Sequence, residues 1–182
     1  MRRILATLLV LSILLCVGCT RRLSMDPTGP EDTLVVGRIR FEARGFEDRS
    51  DYPSLNGLHE SNMTLTFESA GAGTKCVMSS RAGGVFYKNH LEPGMYRLVK
   101  LSAKVTEGRA WIALNVTFKT TRFIFPVEAG KVTNLGGIYM TIDDKGGNDI
   151  FQEAAPDVFR NYLTANFPES EWYAREWIDM KY

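Results

Sequence analysis

Ile112-Ala113-Leu114-Asn115-Val116-Thr117-Phe118 alternates large apolar residues with small or polar ones at a strict period of two. Successive side chains of a strand point to opposite faces, so Ile112, Leu114, Val116 and Phe118 share one apolar face and Ala113, Asn115 and Thr117 the other. Phe123, Phe125 and Val127 repeat the pattern beyond Lys119–Arg122, and the two runs read as a hairpin at the centre of the core. Further out, Ile39 and Phe41 alternate with Arg38, Arg40 and Glu42, and Met63, Leu65 and Phe67 with Thr64, Thr66 and Glu68. Gly71-Ala72-Gly73, Gly83-Gly84, Glu92-Pro93-Gly94, Glu107-Gly108 and Ala129-Gly130 punctuate these runs with turn chemistry. A single sheet would leave one set of apolar faces in water. The prediction for residues 34–142 is therefore an antiparallel two-sheet sandwich in a mainly β chain.

Residues 143–182 change period and read as a helical extension. Pro156-Asp157 opens a helix in which Val158 faces Tyr162 and Phe159 faces Leu163, and Phe167-Pro168 closes it. A second short helix is expected from about Glu169 to Met180, with Tyr173 and Trp177 on one face and Trp172 beside them. Two readings stay open for this aromatic group. One or two helices seal an open face or edge of the sandwich, or Trp172, Tyr173 and Trp177 form a docking surface for a protein, a glycan or the membrane interface. Trp111, on the face opposite Ile112 and Leu114, is the further candidate for a flat carbohydrate-binding platform.

The chain begins with Arg2 and Arg3, an apolar run of 14 residues from Ile4 to Val17, Gly18 and Cys19. As a helix the run would rise about 21 Å at 1.5 Å per residue, short of the ~30 Å hydrocarbon core of a bilayer. This is the anatomy of an export signal over residues 1–18 rather than of a spanning helix. Leu14-Leu15-Cys16-Val17-Gly18-Cys19 resembles the lipobox of bacterial lipoproteins, with Cys16 where that family usually carries Leu. The resemblance implies cleavage before Cys19 and a thioether-linked diacylglycerol on its sulfur. Two or three acyl chains, at about 0.8 kcal/mol per buried methylene, would hold the protein on a membrane. Thr20 replaces the aspartate that resembles an inner-membrane retention signal, so the outer membrane is the expected address. Residues 19–33, with Pro27, Gly29 and Pro30, read as lipidated cysteine and flexible tether.

Removing Arg2 and Arg3 lowers Lys plus Arg from 22 to 20 against 21 Asp plus Glu, a net charge near −1. Nucleic-acid binding needs a basic surplus on one face, so it is not expected. With Cys16 cleaved away and Cys19 lipidated, Cys76 is the remaining thiol of the three cysteines, and its strand-like setting predicts an inert buried side chain. His59 and His90 have no third ligand at a suitable spacing, and Glu47, Asp48 and Asp51, like Asp143–Asp149, match no calcium-loop pattern. No nucleophile elbow, phosphate loop or carboxylate pair stands out. The expectation is a non-enzymatic protein with no cofactor and no metal.

Gly84-Val85-Phe86, then Leu91-Glu92-Pro93-Gly94-Met95-Tyr96-Arg97-Leu98, then Phe125-Pro126-Val127-Glu128-Ala129-Gly130-Lys131-Val132 resemble the prealbumin-like sandwiches known as carboxypeptidase regulatory-like domains. Pro93 presets φ, Gly94 suits the positive φ of a type II turn, and Tyr96 and Leu98 then point the same way into the core. The resemblance covers roughly residues 34–142 and implies a module for stability, display or binding. Two catalytic relatives do not fit. The isopeptide-forming pilin sandwiches need a first-strand Lys where this chain has Arg38 and Arg40, and the hydroxyisourate hydrolases end in Tyr-Arg-Gly-Ser where this chain ends in Asp179-Met180-Lys181-Tyr182. The expected role is that of a lipid-anchored envelope module contacting an envelope protein, or alternatively a carbohydrate- or peptidoglycan-binding lipoprotein or an accessory subunit of an envelope enzyme.

Overall fold

The computed structural model describes residues 26–44, 62–107, 110–118, 123–143, 148–153 and 157–181, with backbone alone at 43–44, 104–107, 110–114, 142–143 and 148. The chain is mainly β and forms two sheets. The first sheet contains β1 (Leu34–Arg44), β4 (Val85–Asn89), β8 (Val132–Asp143), β9 (Asn148–Glu153) and β10 (Trp177–Asp179). The second contains β2 (Met63–Ser69), β3 (Lys75–Ser79), β5 (Gly94–Glu107), β6 (Ala110–Thr117) and β7 (Ile124–Val127). A single α-helix among the described residues, α1 (Asp157–Asn166), lies against β1 and β8.

The period-two runs put their apolar members between the sheets, as the sequence predicts. Ile39, Phe86, Ile138 and Met140 of the first sheet meet Leu65, Phe67, Leu98 and Phe125 of the second in one buried cluster. Tyr96 and Leu98 do point inward together, and the Tyr96 hydroxyl donates to the Glu92 carbonyl at 3.0 Å. That bond ties the crossover between sheets to the strand it feeds, as a tyrosine corner does. The left-handed residue of this connection is His90 (φ 55°), while Gly94 stands at φ 155° as the first residue of β5. The chain thus crosses from one sheet to the other without the expected type II turn.

Four expectations need correction. First, the sandwich is not wholly antiparallel, because β8 runs parallel to both β1 and β10. Second, β6 and β7 do not form a central hairpin. They lie end to end along one edge of β5, where Phe118 N donates to Val99 O at 2.9 Å and Leu98 N donates to Phe123 O at 3.0 Å. At 14 residues, β5 is long enough to serve both. Third, the stretch beyond 142 is not purely helical, since β9 and β10 extend the first sheet and Glu171–Ala174 is a short 3-10 turn in place of a second α-helix. Fourth, residues 26–33, expected within a flexible tether, are held by the C-terminal segment. Ser170 donates to Asp26 at 2.8 Å, and Arg175 donates to the carbonyls of Gly29 and Pro30 at 3.0 and 2.7 Å.

The first sheet is covered on both faces over half its length. Leu34, Val36, Val85, Tyr87 and Val132 face away from the main core and pack under Phe159, Leu163 and Trp172. A strand buried on both sides reads as a continuous apolar run, which is the meaning of Leu34-Val35-Val36. Midway along β8, Leu135 and Gly136 together oppose Gly37, a bulge at which the edge partner of β8 changes from β10 to β9. No helix among the described residues is long and apolar enough to cross a membrane.

Candidate functional site

At one side of the sandwich β10 and then β9 pair with β8 and form the outer strands of the first sheet. At the other, β3 and β4 are both terminal strands, one from each sheet, and a groove of about 310 Å³ runs between them, lined among others by Val77, Ser79, Arg81, Tyr87, Lys88 and Asn89.

Hydrogen-bonded and non-bonded residue pairs alternate along an antiparallel ladder. Ser69 N donates to Thr74 O and Ser80 N to Met63 O, which puts the bonded pairs of the β2–β3 ladder at Phe67–Cys76 and Leu65–Met78. The N–H and C=O groups of Lys75, Val77 and Ser79 therefore point away from β2. By the same rule His90 N donating to Thr33 O leaves Tyr87 and Asn89 with their backbone groups turned away from β1. Among the described residues none of these outward groups of β3 meets a backbone partner.

The side chains along this edge are cationic and apolar. Val77 is 54% exposed, and Lys75, Arg81 and Lys88 are exposed. Arg81 stacks over the Tyr87 ring at 4.3 Å, a cation–π contact that leaves its charge uncompensated. None of Lys75, Arg81 and Lys88 is ion-paired among the described residues, whereas Arg97 is bound by Glu68 at 2.6 Å. Cys76 sits just inside the edge. Burial pushes its thiol up, and the Lys88 charge pulls it part of the way back. The thiol is inert by burial, as expected.

A second feature lies on the outer face of the first sheet, beyond the part that α1 covers. Tyr139 and Phe151 are cross-strand neighbours with ring centroids 4.7 Å apart, and Phe151 is 46% exposed. Arg40 lies 5.6 Å over the Tyr139 ring and 3.8 Å from Glu153, and the Tyr139 hydroxyl donates to Glu42. This is a small aromatic surface with a polar rim, its two rings inclined by 35°.

The sequence-predicted site residues are not brought together. Trp172 is fully buried under the first sheet and cannot belong to a docking surface. Trp177 is half-buried in β10, donates its ring N–H to the Trp172 carbonyl at 3.1 Å and carries Arg160 at 4.5 Å over its face. Tyr173, at 39% exposure, alone of the three reaches solvent to that extent, and its hydroxyl donates to Thr164 at 2.9 Å. Trp111 is in β6, its side chain outside the described residues, as are Cys19, His59 and the 45–60 connection. Reasoning from sequence missed Lys75, Val77, Lys88, Tyr139 and Phe151. The signal was the exposed row Lys75, Val77, Ser79, since lysine on the water side of a short strand marks an edge.

Among the described residues no group of three or more His, Cys, Asp or Glu converges on one point. His90 instead pairs with Asp32 at 3.1 Å. Asp32 also accepts from the backbone of Thr28 and Gly29 and from the Thr28 hydroxyl, and these bonds, the Thr28 backbone foremost, lower its pKa to about 2. A carboxyl held below its ordinary 3.8 adds stability that is complete above that value and lost as pH falls through about 2. Asp32→Asn is accordingly expected to flatten the fall in stability between about pH 4 and pH 2, as read from urea unfolding at several pH values.

No family model matches the sequence, and no curated protein does. Among solved structures, a leucine-rich repeat protein from Bacteroides thetaiotaomicron aligns over 63% of this chain at 15% identity with a TM-score of 0.38, and the match spans 14% of that protein's length.

Proposed function

We propose that this chain is a non-enzymatic envelope lipoprotein, a prealbumin-like sandwich of the carboxypeptidase regulatory-like kind, anchored through Cys19 in the outer membrane and acting by contact with another envelope component. The observation that carries the reading is the β3–β4 side of the sandwich. There a terminal strand of each sheet flanks a groove whose exposed Lys75, Arg81 and Lys88 have no ion-pair partner among the described residues, beside outward main-chain groups of β3.

Because residues 26–33 are fastened to the domain, at most residues 19–25 separate the proposed anchor from it. Seven residues span no more than about 25 Å even fully extended, at 3.3–3.6 Å per residue. The domain then rides close to the headgroups, within reach of neighbouring anchored proteins.

In detergent phase separation the native protein is expected wholly in the detergent phase and residues 20–182, made without the leader and Cys19, wholly in the aqueous phase. Capture from intact envelopes should recover a protein partner with the native form. An aqueous native protein with an unmodified N-terminus would refute the anchor. A second reading is favoured by one observation, the paired Tyr139 and Phe151 rings with their Arg40 and Glu153 rim, an aromatic surface of the kind that takes the apolar face of a sugar. In the same capture, glycan fragments recovered by the native form and lost on Phe151→Ala would favour carbohydrate binding.

A further inference from the structure

We infer that the β3 edge is a strand-acceptor site, and that its occupant is an extended acidic segment of an envelope partner, added to the second sheet beside Lys75–Ser79. The inference deepens the interaction-module reading and rests on it.

Three observations converge. The outward N–H and C=O groups of Lys75, Val77 and Ser79 repeat every second residue, about 6.7 Å apart in a strand. They offer donors and acceptors in alternation. Another peptide backbone matches that order, whereas a polyanion supplies acceptors only. The second observation is charge. An incoming strand would place alternate side chains over the groove, toward Lys88 and Arg81, and the others beside Val77 on the outer face. Carboxylates facing the groove and β-branched residues on the face of Val77 satisfy both rows. The third is that, among the described residues, the groove lining carries no carboxylate and the nearby Glu68 is already bound to Arg97.

Lysine on an edge also guards against unwanted pairing between like chains. The same charge that repels a basic or neutral strand selects an acidic one, so guard and specificity device are the same residues here.

The test uses the full chain and two capped eight-residue peptides, alternating Glu-Val and alternating Lys-Val, with the Glu-Val peptide also made N-methylated at every second residue. Saturable binding of Glu-Val by calorimetry is expected, at least tenfold tighter than Lys-Val and than the N-methylated form, and weakened by salt. Val77→Pro removes only an outward N–H and is tolerated at an edge. It should weaken binding tenfold or more, as should Lys88→Glu, with circular dichroism and melting checked for both. Equal binding of the N-methylated peptide, displacement by a simple polyphosphate, or dimerisation of the chain through Val77 in place of peptide binding would each overturn the inference. So would envelope partners captured equally by both variants, a result that would leave the interaction-module reading standing.

Discussion

Trp172→Ala is expected to cost about 3–5 kcal/mol, the range for a large buried aromatic replaced by a methyl. A chain ended after Glu153 should show no cooperative unfolding transition at all. Among the described residues Trp172 is the largest fully buried side chain, and it shares a cluster with Leu34, Val36, Val85, Val132, Phe159 and Leu163. Those residues of the first sheet face away from the main core, so without the C-terminal segment they would meet water. The loss would not stop there. Trp172 O accepts both the Trp177 ring N–H and the Arg175 backbone N–H, and Arg175 in turn holds Gly29 and Pro30, so the segment is fastened at several linked points. Urea unfolding of the variant and the shortened chain measures both effects. A Trp172→Ala protein within about 1 kcal/mol of the native one would contradict the sealing role.

Gly37→Ala should destabilise by about 1–3 kcal/mol, as overpacking does in a core that cannot relax. A Cβ at Gly37 would lie 2.5 Å from Cζ of Phe86 and 3.1 Å from both of its Cε atoms. Phe86 is directly opposite Gly37 on β4 and fully buried, with its ring 6.2 Å from that of Phe67. Behind Phe67 stands Phe125 at 5.2 Å, edge to face, so a displaced ring has no open space to enter. Shortening the obstructing side chain should recover part of the loss. The double variant Gly37→Ala/Phe86→Leu is expected to be more stable than the sum of its single changes predicts, the mark of two residues competing for one volume. Additive costs would mean that the clash is absorbed elsewhere.

Much of this architecture was legible locally. Met63, Leu65 and Phe67, and Phe123, Phe125 and Val127, declared their buried faces by alternation alone, and Val158, Phe159, Tyr162 and Leu163 declared a helix. Glu169–Met180 misled because aromatic residues at i, i+4 are compatible with a helix, while the backbone of Trp177–Asp179 gains more by pairing with Val132–Asn134 across the fold. The parallel pairing of β1 with β8 was equally hidden, since about a hundred residues separate the partners and no local pattern records which strand lies beside which.

The candidate site was less legible than the fold. Lys75 and Val77 look like any solvent-facing strand residues until the sheet order leaves β3 at an edge, and Tyr139 and Phe151 become a surface only when β8 and β9 pair. The amino-acid sequence by itself determined the period of the strands and the position of the helix, because each depends on neighbours within a few residues. The tertiary structure alone decided that Trp172 is core, that residues 26–33 are fastened down and that β3 and β4 stand as neighbouring terminal strands. Burial and edge exposure are properties of what packs alongside, and here that neighbour comes from the far end of the chain.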